Sequence, residues 1–251
     1  MKFASYLVSG LLILSATYSN AAIVLVSDLG SSFDLQYDDA SVGLFGNPTL
    51  SNNVVSFTPN AFVASVAGQN QSVIKSSTVN FQLVAKKDQD FANFALLERG
   101  DFFLEGANSR VRAQGQMRVF NVSNPISSEV TSSIISSATN GTAPGTLLTA
   151  LPFSYNDGVT YDWAGVANVA ATQELSSAQI VNITVENILR ASTGAQLSSE
   201  MFPPEAFIEK KFTGPPVSLF VTPVPEPSEW IMLLCGLSII GLIVRRRRDR
   251  Q

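Results

Sequence analysis

Along most of the chain, apolar and polar residues alternate in short runs separated by Gly, Pro, Asn and Ser, the pattern of antiparallel sheets and not of helices. From Thr78 to Ala85, the residues Val79, Phe81, Leu83 and Ala85 point one way while Asn80 and Gln82 point the other, which predicts a strand with one buried and one wet face. Arg110 to Phe120 repeats the theme, with Val111, Ala113, Met117 and Val119 on one side and Arg110, Arg112, Gln114 and Arg118 on the other. In Ala178 to Leu189, Val181, Ile183, Val185 and Leu189 alternate with Asn182, Thr184 and Glu186. Shorter candidate strands are Ala22 to Val26, Val54 to Thr58, Phe62 to Ala67, Phe91 to Leu97, Phe102 to Leu104, Ala206 to Phe212 and Val217 to Thr222. Glu98-Arg99-Gly100-Asp101 reads as a turn, and the Arg-Gly-Asp tripeptide inside it, familiar from integrin ligands, reads as part of that turn. From Asn121 to Leu151 Ser and Thr dominate, so this is expected to be a surface excursion in which Glu129 to Ser136 forms a strand or a short helix. No segment of the body has a long helical period, and no repeat recurs at solenoid or propeller spacing. The expected body, residues 22–222, is therefore all-β: an antiparallel β-sandwich, with a barrel-like β domain as the alternative.

The two ends depart from this pattern. Residues 1–21 read as a secretory signal peptide, with Lys2 as the positive n-region, Phe3 to Leu14 as the apolar core and Ser19-Asn20-Ala21 placing small residues where signal peptidase reads them. Cleavage is expected after Ala21. At the other end a Pro-rich linker, residues 223–229, leads into an apolar run from Trp230 to Val244 and a basic tail, residues 245–251. As a helix, Ser228 to Val244 spans about 25 Å against about 30 Å of hydrocarbon, the short end of a single transmembrane helix. Trp230 sits where an interfacial aromatic belongs, and Arg245, Arg246, Arg247 and Arg248 hold the C-terminus on the cytoplasmic side.

Pro225-Glu226-Pro227, the short apolar helix and the arginine cluster, in that order at the extreme C-terminus, closely resemble the PEP-CTERM sorting signal of Gram-negative bacteria. The resemblance is confined to this tail. It implies recognition by a membrane-embedded cysteine protease, an exosortase, which removes the tail near Pro225-Glu226-Pro227, in organisms that make extracellular polysaccharide. The membrane would then hold the chain only transiently, at the inner membrane before processing, and the mature protein would reside at the envelope surface or in the extracellular matrix.

Composition narrows what the body does. Between Ala22 and Val224 lie seventeen acidic and ten basic residues, a balance of −7, which lacks the basic footprint nucleic acid requires. The single cysteine, Cys235, falls in the tail helix, so the exported body has no disulfide. There is no histidine, which removes the usual general base, the Ser-His-Asp and Cys-His arrangements and the commonest zinc ligand. Paired-carboxylate glycoside chemistry remains, because it needs only two acids, but no pair is marked as facing across a cleft. No catalytic residue and no cofactor is expected. Asp28, Asp34, Asp38 and Asp39 are weak metal candidates of the kind that suits Ca²⁺, yet Asp38-Asp39-Ala40 lacks the alternating acidic loop, and solvated charge is the expectation. Tyr155, Tyr161 and Trp163, interleaved with Asn156, Asp157 and Asp162, have the residue types of a sugar platform; packing at the core or rim is the favoured reading. The expected function is a non-enzymatic envelope or matrix protein associated with extracellular polysaccharide, and the alternative is a carbohydrate-acting enzyme using two carboxylates.

Overall fold

Strands need at least one hydrogen-bonded neighbour and a shared place to bury their apolar rows. In the computed structural model, which describes residues 23–26, 32–59, 61–106, 108–138, 148–149, 159–210 and 216–225, fifteen strands meet that need. They are β1 (Ile23–Val26), β2 (Phe33–Asp38), β3 (Thr49–Ser51), β4 (Val54–Phe57), β5 (Val63–Ala67), β6 (Ser72–Ala85), β7 (Gln89–Glu105), β8 (Arg110–Asn121), β9 (Val130–Ser133), β10 (Ile135–Ala138), β11 (Leu148–Thr149), β12 (Thr160–Ala170), β13 (Ile180–Ser192), β14 (Glu205–Lys210) and β15 (Val217–Pro225). One sheet runs β1-β2-β6-β13-β8-β11, with β9 also on β8. The other runs β10-β12-β7-β15-β4-β3, with β14 bridging β7 and β5. Every strand pair is antiparallel, and neither sheet closes into a barrel, so the barrel-like alternative is set aside.

The inner rows of the two sheets meet in one apolar core. Phe33 of β2 lies 6.2 Å, centroid to centroid, from Phe91 of β7, and Phe81 of β6 lies 5.5 Å from Phe57 of β4, each pair joining one sheet to the other. Phe45 packs edge-on against both Phe57 and Phe62. Fully burying a side chain of this size contributes about 1.5–3 kcal/mol, and Phe33, Phe45, Phe57, Phe62 and Phe94 are all completely buried.

Three features correct or decide the sequence expectation. The segment Glu98-Arg99-Gly100-Asp101 is no turn: it lies in the middle of the seventeen-residue β7, paired throughout with β12. The strand continues because Glu98, Gly100 and Phe102 keep the inward phase of Phe94 and Leu96, and Glu98 finds a buried partner there. In the Ser/Thr-rich excursion the strand alternative expected for Glu129 to Ser136 is the one realised, as β9 and β10, which pair with β8 and β12. Finally, Pro223, Val224 and Pro225, expected as linker, belong to β15 and lie opposite Phe91, Asp90 and Gln89 of β7. The register shifts between Thr222 and Pro223, where the missing proline N–H breaks the ladder. Beyond Phe220 the opposite edge of β15 is no longer matched to β4, and proline is tolerated at such an edge. Among the described residues no helix is long and apolar enough to cross a membrane. Ala21, Glu226, Pro227, Trp230, Val244 and Arg245 to Arg248 lie outside the described residues.

Candidate functional site

Two places bring together side chains whose chemistry exceeds packing. The first is on the outer face of the β1-containing sheet. The alternation of β8 turns Arg110 and Arg112 outward, and that of β13 turns Arg190 outward beside them, with Arg190 directly opposite Arg112 and Ser192 opposite Arg110. Arg110, Arg112, Arg190 and Ser192 line one shallow cleft; a second, sharing Arg112 and Arg190, is lined by Ile74, Gln114 and Ile188. Like charges directly opposite in a sheet repel. Among the described residues none of these three arginines has an ion-pair partner, whereas Arg118 further along β8 faces Glu129 at 3.9 Å. Arg112 Nε and Gln114 Oε1 are shielded from solvent without a hydrogen-bond partner among the described residues. Ile74, 59% exposed, adds an apolar surface at the edge of the cleft. Chemically, the arrangement is three unneutralised guanidinium groups beside an apolar patch, suited to carboxylates carried on a larger, partly apolar ligand.

The second place is inside the core. Lys210, Glu98 and Asn187 each occupy an inward position of an otherwise apolar row: Ala206 and Ile208 precede Lys210 in β14, Phe94 and Leu96 precede Glu98 in β7, and in β13 Asn187 stands between Val185 and Leu189. Their relative exposures are 0%, 1% and 1%. They meet because β7 changes neighbour here, pairing with β15 up to Glu98 and with β14 from Gly100 onward. Lys210 is opposite Gly100, so its long side chain reaches diagonally across to Glu98. Lys210 Nζ lies 2.7 Å from Glu98 Oε2, and Asn187 Nδ2, from the opposing sheet, donates to Glu98 Oε1. Asn187 Oδ1 has no partner among the described residues.

Aromatic faces complete the enclosure. Lys210 Nζ is 5.2 Å from the Trp163 ring centroid and 5.5 Å from that of Phe62, both within cation–π range. The indole Nε1 donates to Glu209 O at 3.0 Å, and the Lys210 N–H donates to Phe62 O at 3.1 Å, which fixes the end of β14. Gly100 is required by closeness: a Cβ there would meet Glu209 O at 1.8 Å and Trp163 Nε1 at 2.5 Å. Burial pushes the Lys210 amine below its ordinary value, while the charge of Glu98 and its hydrogen bond act in the opposite direction.

The residues singled out from sequence behave differently. Asp34 forms an ion pair with Lys86 at 3.4 Å, Asp38 Oδ1 accepts from Ala40 N at 2.9 Å, and Asp39 is exposed in the following 3₁₀ turn. Among the described residues no group of three or more His, Cys, Asp or Glu side chains is placed to hold a metal, and Asp28 lies outside them. Trp163 is 1% exposed and Tyr161 stacks on Phe102 at 5.6 Å, so these two rings pack and present no open platform; Tyr155, Asn156 and Asp157 lie outside the described residues.

No family model matches the sequence, and no curated protein is similar to it. Among solved structures, the chain is matched to one described as "Structure of infectious bursal disease virus Gt strain", with 9% identity and a TM-score of 0.18. That match covers 83% of this chain, which spans about half the length, 48%, of the viral one. A superposition of that quality bears on neither fold nor function.

Proposed function

We propose that the protein is an exported envelope or extracellular-matrix component, sorted through its C-terminal signal, whose body is a two-layer β-sandwich that associates with acidic extracellular polysaccharide and performs no catalysis. The observation that carries this reading is the cleft of Arg110, Arg112 and Arg190, unneutralised among the described residues and set on an otherwise acidic body. Paired like charges at Arg112 and Arg190 cost stability unless an anion lies between them, and uronate carboxylates on a sugar chain supply that charge beside an apolar ring face. The two sheets with one common core support the sandwich.

The purified exported protein should be retained by a uronic-acid polymer and not by a neutral glucan, with retention falling as salt rises. Exchanging Arg112 and Arg190 for Gln together should reduce retention by at least about tenfold, the loss of about 1.4 kcal/mol expected when charge-assisted contacts are removed. Equal retention of the neutral glucan would overturn the reading, and new reducing ends would establish the carbohydrate-acting enzyme in its place.

For the tail, the reading requires an exosortase as partner and the inner membrane as a waypoint. The strand β15 ends at Pro225, so a cut on its C-terminal side would leave the sheet intact. Intact mass of the protein from its native host should show a chain ending near Glu226 and lacking Trp230 onward. Alanine at Pro225, Glu226 and Pro227 should leave an uncleaved membrane-bound form. A dominant mature species that keeps Arg245 to Arg248 would mean a permanent anchor instead.

A further inference from the structure

We propose that Lys210 and Asn187 become joined by an intramolecular isopeptide bond, Lys210 Nζ to Asn187 Cγ, formed within the folded core with Glu98 as the catalytic residue that moves the protons. One carboxylate holds both reacting groups, its Oε2 at the amine and its Oε1 at the carboxamide, so the fold gathers nucleophile and electrophile on the two oxygens of a single side chain. All three side chains are excluded from water, and the rings of Phe62 and Trp163 confine the amine.

Attack requires a neutral amine, and burial drives Lys210 toward that form. The Lys210 ammonium first gives a proton to the Glu98 carboxylate. The freed lone pair on Nζ then forms the new N–C bond at Asn187 Cγ while the C=O π pair moves onto Oδ1. Glu98, now a carboxylic acid, passes its proton to Nδ2 and takes one from Nζ. Collapse of the tetrahedral intermediate re-forms the carbonyl, breaks Cγ–Nδ2 and expels ammonia, which leaves as ammonium with the proton Glu98 gives up. One ammonium and one carboxamide thus become one secondary amide and free ammonium, with charge balanced and no oxidant or reductant. The orphaned Asn187 Oδ1 is where negative charge develops.

The bond ties β13 of one sheet to β14 of the other, a covalent staple in a body whose only cysteine lies outside it, in the tail.

The test is mass spectrometry of the full-length chain, expressed with signal and tail intact, after denaturation and proteolysis. The expected result is a branched species joining the peptides that contain Lys210 and Asn187, lighter than their sum by one ammonia. It should be absent from Lys210→Ala, Asn187→Ala and Glu98→Gln chains. Because those variants risk misfolding, the parent chain decides: separate linear peptides with Lys210 open to amine-reactive label overturn the proposal. So does ammonia loss confined to the Asn187 peptide, which would indicate a cyclic imide. A branched peptide that persists in Glu98→Gln would overturn the role of Glu98.

Discussion

Replacing Glu98 by alanine is expected to destabilise the body by about 3–5 kcal/mol, the cost of stranding a buried charge. Lys210 would keep its place between Trp163 and Phe62 but lose the carboxylate 2.7 Å away, and Asn187 Nδ2 would lose its acceptor. Equilibrium urea denaturation of the purified protein measures the loss as a lower midpoint at similar slope. The informative companion is Glu98→Leu combined with Lys210→Met. Buried ion pairs exchanged for apolar side chains of similar volume often cost little, so the double variant should recover the electrostatic part of the loss, leaving only the part due to the missing Lys210–Asn187 bond. If Glu98→Ala unfolds within about 1 kcal/mol of the parent, the centre is not held by its electrostatics and the reading of the core is wrong.

Trp163→Ala should cost about 3–5 kcal/mol, as expected for deleting a fully buried large aromatic. The loss has three sources in the structure: the apolar ring itself, its face against Lys210 Nζ, and the indole hydrogen bond to Glu209 O. Trp163→Phe separates them. It keeps an aromatic face and removes the hydrogen bond, and should cost about 0.5–1.5 kcal/mol plus a smaller packing term. Equal losses in the two variants would mean that the hydrogen bond, and not the ring, secures β12 against the end of β14.

Several strands were legible in the sequence for a local reason. The period of two is written into β6, β8 and β13 by residues a few positions apart, and the inner faces they predict are the ones buried in the structure. The outward arginines of β8 were visible in the same alternation. That Arg190 completes their cleft was not, because the register of β13 on β8 joins residues far apart in the chain. Strand β12 went unread since its inward row mixes Trp163 with Gly165 and Ala167, small side chains that carry little hydropathy signal.

The buried centre marks the boundary most sharply. Alone, Glu98-Arg99-Gly100-Asp101 has turn chemistry, and a charged residue in an apolar row reads as the end of a strand. What keeps β7 running is Lys210, 112 positions away, and Asn187 from the opposite sheet. The parity was there to be counted: Glu98 keeps the phase of Phe94 and Leu96, Asn187 that of Val185 and Leu189, and Lys210 that of Ala206 and Ile208. By itself the sequence determined the β class and the acidic, histidine-free body, because composition and alternation are local properties. Only the tertiary structure decided which polar residues the core accepts, since a buried charge is tolerable only beside its partner, and partners are chosen by register and by the packing of one sheet on the other.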